Sequence, residues 1–172
     1  MGIRDWFGRR RIFKQVYSLI DTGCYDECLA LLEQRKAGQS DRRFLFAYAT
    51  CYHAQGAYDK ALAATDEALE KEAKNPAFLL LKAKILFSKG CYERSLELCA
   101  QALANSVFNE ETLYIMAKNQ LALGNKEKAG ALFYRALQTA DRRFVESRLL
   151  LACEWLLMRD ALPKVNDNPD AE

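Results

Sequence analysis

Four glycine-led segments constrain the fold of this chain more than any other feature of its 172 residues. The segments align without gaps, and their glycines lie 33, 34 and 34 residues apart, at Gly23, Gly56, Gly90 and Gly124. Roughly fourteen residues on either side of each glycine carry apolar side chains at helical spacing, without the alternation that is typical of strands. The pattern predicts a unit of one helix, a tight turn at the glycine, and a second helix.

Small residues recur at fixed distances from each glycine. A large side chain at these positions would hold two helix axes too far apart, so the positions are predicted contacts between helices. One column lies seven residues before the glycine, a second lies five after it, and a third lies near the end of the second helix. The columns are Ala49, Ala83 and Ala117; Cys28, Ala61, Ser95 and Ala129; and Ala68, Ala102 and Ala136.

These residues resemble the tetratricopeptide-repeat family, whose 34-residue unit carries a small residue, an aromatic, Gly-x-Tyr, and then Ala and Ala-Leu. The resemblance departs from the family pattern at Arg35-Lys36 and at Lys126, which replaces the turn tyrosine. It implies an all-α, right-handed solenoid over residues 9–161, with repeats at about 9–41, 42–75, 76–109 and 110–143 and a capping helix at 142–159. Residues 1–8 are predicted to be a basic amphipathic segment, and 162–172 an acidic mobile tail.

The start of each first helix carries a capping residue. Asn75 precedes Pro76, and Asp41, Asn109 and Asp141 stand at the equivalent places in the other units, where a side-chain oxygen can accept from free amides. The predicted first helices therefore begin at about residues 42, 76, 109 and 142, while the earliest one is expected to begin at about residue 10.

In proteins of this family the first helix of each unit lines a concave groove, which makes function depend on that face. The inward positions fall thirteen, ten, six and three residues before each glycine. With the four equivalent positions of the capping helix they number 20, and they hold six aromatic residues and five basic residues but only one acid. Cations beside aromatic anchors are typical of a surface that receives an acidic and hydrophobic segment. The predicted groove residues are Arg10, Phe13, Tyr17, Arg43, Phe46, Thr50, His53, Leu80, Lys84, Phe87, Tyr114, Lys118 and Arg148.

These observations favour a noncatalytic adaptor or chaperone-like module whose partner is a protein or peptide. Burial against a neighbouring repeat is the alternative interpretation of the inward aromatics Phe13, Phe87 and Trp155. The paired Lys and Asn residues with which related proteins clamp chaperone tails are absent. One histidine without a catalytic motif argues against an enzyme, and six cysteines at irregular spacing argue against a metal site; no cofactor is expected.

Other functions stay open at this stage. The net charge of +2 excludes a strongly basic nucleic-acid binder, and an RNA-binding helical repeat is disfavoured because the stripe is apolar. Residues 1–8 could give a peripheral scaffold weak contact with an anionic membrane. The run from Trp155 to Met158 could pair two copies into a homodimer. Free cysteines without a signal peptide indicate a cytoplasmic protein.

Overall fold

The computed structural model describes residues 3–34, 41–105 and 110–139, with side chains from Arg11 onward, and these ranges form eight α-helices without strands. The predicted all-α helical-repeat fold is confirmed. The expected capping helix at 142–159 and the acidic tail at 162–172 lie outside the described residues. The helices are α1 (Ile3–Asp21), α2 (Tyr25–Gln34), α3 (Arg42–Ala54), α4 (Tyr58–Lys71), α5 (Pro76–Ser88), α6 (Tyr92–Asn105), α7 (Glu110–Ala122) and α8 (Lys126–Thr139).

The four repeating glycines occupy the same turn, as predicted. Each has a positive φ, between 74° and 83°, which is the left-handed region where a side chain is strained. At Gly56 the amide donates to the His53 carbonyl at 3.0 Å, and the Ala57 amide donates to the Tyr52 carbonyl at 2.8 Å. These two bonds satisfy carbonyls that the end of α3 would otherwise leave unpaired, so the glycine ends the helix and redirects the chain.

Two predicted caps are confirmed at the starts of first helices. The Asn75 side chain accepts from the Ala77 amide at 3.0 Å, and the Asp41 side chain accepts from the Arg43 amide at 3.0 Å. Their counterparts at Asn109 and Asp141 lie outside the described residues.

Helix α1 begins earlier than expected. It runs without interruption from Ile3, whereas the sequence pattern placed its start at about residue 10. Most of the predicted N-terminal segment 1–8 is therefore continuous with the first helix of the first repeat.

The chain divides into two compact units, of which the first spans Met1–Gly90. In this unit α3 is the central helix, and it packs against α1, α2, α4 and α5. One core cluster joins α1, α2 and α3 around Val16, Leu32 and Tyr48. A second joins α3, α4 and α5, where Ala61 meets Ile85. The first helices of three successive repeats thus lie side by side, with α3 in the middle.

The second unit spans Cys91–Glu172 and contains α6, α7 and α8 among the described residues. Helix α7 packs against both of the others, and Phe133 fills the core between α7 and α8. A buried polar contact joins α6 to α7, because the Asn119 Nδ2 donates to the Ser95 Oγ at 2.9 Å. The same Nδ2 also donates to the Ile115 carbonyl within α7 at 2.8 Å.

The small-residue columns are buried, as the pattern predicted. None of their ten members is more than 2 % exposed. In the first unit, Ala49 on α3 and Ala61 on α4 lie in one cluster, where a larger side chain would push the helices apart. Burial of these columns fixes which face of each first helix is turned away from solvent.

Candidate functional site

The predicted groove residues of the first unit lie on α1, α3 and α5, and we call this set the groove stripe. Its described members are partly exposed, apart from Phe13, which is buried, while the neighbouring column at Ala49 and Ala83 is fully buried. Tyr17, at 41 % exposure, is one of two large hydrophobic residues that stand out at the surface of the described chain. The stripe consists of Phe13, Tyr17, Arg43, Phe46, Thr50, His53, Leu80, Lys84 and Phe87.

Phe13 is a core residue, which corrects its prediction as a groove residue. It is 5 % exposed and meets the ring of Phe44 edge-on, with the two centroids 4.9 Å apart. The guanidinium of Arg43 covers it, 3.9 Å from its ring centroid. Phe13 therefore anchors α1 to α3 and has no surface left for a ligand, as the alternative reading of this residue proposed.

Arg43 is paired within the protein. The Asp41 carboxylate accepts from Arg43 Nη2 at 3.1 Å and from its Nε at 3.4 Å, while the same arginine stacks on Phe13. Asp41 is an acid outside the predicted stripe, and sequence reasoning did not pair it with the arginine. The positive charge expected at this end of the stripe is therefore largely offset.

The middle of the stripe is an apolar wall. Phe46 is partly buried and packs against Phe78, with ring centroids 5.8 Å apart. The Thr50 hydroxyl donates to the Phe46 carbonyl at 2.8 Å, so this hydroxyl is already paired within α3. Leu80 and Phe87 on α5 are also partly exposed. These side chains offer apolar contact area rather than hydrogen bonds.

Polar groups converge where α3 meets α5. The His53 Nε2 lies 2.8 Å from the Ser88 Oγ, and the imidazole ring stands 6.1 Å from the ring of Tyr58 on α4. Burial, and secondly the positive charge of Lys84, lower the pKa of His53 below its ordinary 6.5. The imidazole is therefore neutral at pH 7, with a cation and a hydroxyl beside it.

Sequence reasoning predicted His53 and Lys84 for the stripe but missed Ser88. The signal that could have found the serine is its spacing, because a residue four positions after Lys84 lies on the same face of α5. Ser88 is the last residue of α5, two positions before Gly90.

The second unit carries two predicted groove residues on α7. The ring of Tyr114 lies 5.8 Å from that of Phe133, and the Lys118 Nζ is 5.9 Å from the centroid of the Tyr114 ring. Both side chains are partly exposed. Arg10 lies in α1 but its side chain is outside the description, and Arg148 lies outside the described residues.

Two cysteines lie in the same core cluster of the first unit. Cys28 on α2 and Cys51 on α3 are fully buried in one cluster, where the Cys28 Sγ donates to the Val16 carbonyl at 3.9 Å. Burial raises the pKa of both thiols. Over the described ranges, no group of three or more His, Cys, Asp or Glu side chains is arranged to hold a metal ion.

Comparisons with known proteins point to one family. A family model described as Tetratricopeptide repeat matches residues 19–85, and a model described as Anaphase-promoting complex, cyclosome, subunit 3 matches residues 54–136. Together the two matches include all four turn glycines.

The structure of a thermophilic tetratricopeptide-repeat protein from Thermus thermophilus superposes with a TM-score of 0.75 at 16 % identity, over 84 % of this chain and 80 % of that one. Identity at this level shows a shared fold. No curated protein matches the sequence. Within the described part of the chain, no helix is both long enough and apolar enough to cross a membrane.

Proposed function

The chain belongs to the tetratricopeptide-repeat family, whose repeats are protein-protein interaction modules, and on that premise we propose that it is an adaptor or chaperone-like module that binds an acidic and hydrophobic segment of a partner protein along the groove stripe. Proteins of this family are generally noncatalytic scaffolds. The bound segment is a peptide or a single helix, and no cofactor takes part.

The arrangement of α1, α3 and α5 carries this proposal. The three helices lie next to one another in the first unit, and on α3 and α5 the partly exposed stripe residues lie beside a fully buried column at Ala49 and Ala83. In the proposed groove, an exposed aromatic on α1, an apolar wall on α3 and a cation on α5 contact the same ligand. Such a groove suits a ligand that is apolar along its length and carries acids at intervals.

Apolar contact is expected to supply most of the affinity. Tyr17 and Phe87 offer large surfaces with few rotatable bonds, and residues of this type dominate binding energy at interfaces. We expect the cations of the stripe to supply orientation, and of these Arg43 is paired with Asp41. A short segment held this way binds at about micromolar affinity, near −8 kcal/mol.

A random peptide library displayed on phage and selected on the immobilised full chain tests the proposal. We expect the enriched peptides to combine acidic with aliphatic or aromatic residues. Tyr17→Ala should weaken their binding about tenfold or more, since truncating an interface aromatic typically costs over 1 kcal/mol. Tyr134→Ala is the matched control, because Tyr134 is 45 % exposed but lies on α8, a second helix outside the stripe. Equal effects of the two substitutions, or enrichment of basic peptides, would rule out the stripe as the binding face.

The role of charge has its own matched pair of variants. Lys84→Glu should weaken the selected acidic peptides, whereas Lys74→Glu, in the exposed segment between α4 and α5, should not. Binding should also weaken as salt rises from about 50 to 300 mM, since the Debye length shortens over that range. Salt-independent binding with both lysine variants unchanged would remove the electrostatic part of the proposal.

The alternative functions have no supporting contact among the described residues. Side chains of residues 1–8 and the pairing surface from Trp155 to Met158 both lie outside the description, so weak membrane contact and a homodimer stay predictions. No contact among the described residues supports an RNA-binding role either. We place the protein in the cytoplasm, which is supported by the free thiols at Cys24, Cys28, Cys51, Cys91 and Cys99.

A further inference from the structure

Arg43 on α3 is held in place by contacts on two sides. Its guanidinium lies over the ring of Phe13, 3.9 Å from the centroid. Its Nη2 and Nε donate to the Asp41 carboxylate at 3.1 and 3.4 Å. Phe13 is 5 % exposed, whereas the side chain of Arg43 is 46 % exposed. One face of the guanidinium therefore covers the buried ring, and the opposite face is open to solvent.

An exposed aromatic ring adjoins the same buried anchor. Tyr17 on α1 is 41 % exposed, and the centroid of its ring is 6.4 Å from that of Phe13. Tyr17 and Arg43 thus both border the Phe13 ring, the tyrosine from the helix that carries it and the arginine from α3. This end of the groove stripe consists of a fixed planar cation and an exposed ring around one core residue.

We infer that Arg43 is a stacking platform for one aromatic side chain of the bound segment, and that Tyr17 contacts the same side chain. The inference rests on the proposed function, and it specifies an aromatic residue where that proposal admits aliphatic or aromatic ones. In the complex, the guanidinium is enclosed between Phe13 on one face and the ring of the ligand on the other. Asp41 keeps its hydrogen bonds in the plane of the guanidinium.

The pairing of Arg43 determines which chemistry it can receive. The Asp41 carboxylate occupies the Nε and Nη2 edge and offsets the positive charge, so a second carboxylate gains little from this arginine. Stacking uses the face of the planar group, and its N–H edge can stay hydrogen-bonded meanwhile. An aliphatic side chain has no π system to interact with that face. The open face therefore favours an aromatic ring.

The two contacts that fix Arg43 also make the platform ready for a ligand. A long side chain usually loses rotamer freedom when an interface immobilises it, which weakens binding. Arg43 is already held by Asp41 and Phe13 in the free protein, so little further ordering is required. A cation and an aromatic ring stacked at an exposed site should then favour the aromatic ligand by about two- to fivefold.

Two blocked peptides of equal charge test the platform on the full-length chain. Glu-Leu-Trp-Glu and Glu-Leu-Leu-Glu differ only in the third residue, and both are used at millimolar concentration. The readout is the NMR signal of the Arg43 side-chain Nε–H, which is identified by its loss in Arg43→Lys. A ring stacked on the guanidinium shifts this signal by its ring current. We expect the shift with the tryptophan peptide alone, together with tighter binding of that peptide.

Variants separate stacking from the larger apolar surface of tryptophan. Arg43→Lys keeps the positive charge but removes the planar group, so it should reduce the preference for tryptophan over leucine by about two- to fivefold. Arg42→Lys is the matched control, because Arg42 is 66 % exposed and pairs with Glu72 at 3.2 Å, and it should leave the preference unchanged. Tyr17→Ala changes an exposed residue without opening the core, and it should also reduce the preference.

The outcomes distinguish the platform from the adaptor proposal. An Nε–H signal that stays in place with the tryptophan peptide, a preference unchanged by Arg43→Lys, or binding of neither peptide overturns the platform. A signal that shifts with protein concentration alone would assign the open face to a second copy of the chain, which overturns it as well. If phage-selected peptides still lose affinity in Tyr17→Ala, the groove stripe stands without the platform. If they do not, both proposals fail.

Discussion

The turn glycine at Gly56 offers a direct test of why the repeats end where they do. Its φ is +74°, and a Cβ built on it would meet no atom within 4 Å, so Gly56→Ala changes the backbone energy without a steric clash. An L-residue in the left-handed region costs roughly 1–2 kcal/mol. Alanine also restricts the unfolded chain, which returns about 0.4–1 kcal/mol. The expected net loss of stability is about 1 kcal/mol.

Urea unfolding followed by circular dichroism at 222 nm measures this loss as a lower midpoint with an unchanged slope. The corresponding fall in melting temperature is about 2–4 °C for a chain of this size. Gly56→Asn is the control, because asparagine tolerates the left-handed region better than alanine and should cost less. The equivalent change at Gly124, whose φ is +78° with the same open space, should give a similar value. A neutral Gly56→Ala, or an asparagine variant less stable than the alanine variant, would refute the conformational explanation.

Two further predictions concern the first unit. Ala61→Leu should lower the free energy of unfolding by about 1–3 kcal/mol, because Ala61 is fully buried between helices. The control Ala63→Leu, on the exposed side of α4, should change that free energy by no more than about 0.5 kcal/mol. Urea unfolding midpoints of the two variants test this prediction. Stability should also fall as the pH drops below about 6.5, since the unfolded chain then binds a proton that the lowered pKa of His53 disfavours in the folded state. His53→Gln should reduce that fall between pH 7.5 and 5.5, and an identical pH profile for wild type and variant would contradict it.

The sequence predicted the architecture well because its evidence was periodic. Glycine spacing located the turn within each repeat, and the small-residue columns located contacts between helices, since both features follow from helix geometry and repeat in each unit. The caps at Asp41 and Asn75 were also predictable, because a cap depends only on residues that are near in sequence.

The site was less predictable because its details depend on pairs that periodicity does not specify. The ion pair between Asp41 and Arg43 reduced the expected charge, and the contact between His53 and Ser88 joins residues 35 positions apart. Neither follows from the position of a residue relative to its glycine.

The first repeat departs from the other repeats for a related reason. Its helix α1 packs against α2 and α3, and Arg11 and Ser18 on it are exposed. The equivalent residues of α3, Phe44 and Cys51, are buried. Conversely, Phe13 is buried where the equivalent Phe46 is partly exposed. A terminal helix has a different set of neighbours, so the face it buries differs from that of an internal one. The position pattern shared by the repeats therefore predicted the wrong exposure for Phe13.

The buried thiols of Cys28 and Cys51 can report how often the junction of the first two repeats opens. A reagent that alkylates thiolates cannot reach either sulfur while α2 and α3 stay together, so modification must wait for a transient separation. The labelling rate, relative to that of the same thiols in the unfolded chain, then measures how often α2 and α3 separate. A ligand bound across α1 and α3 would lower this labelling rate without contacting either cysteine.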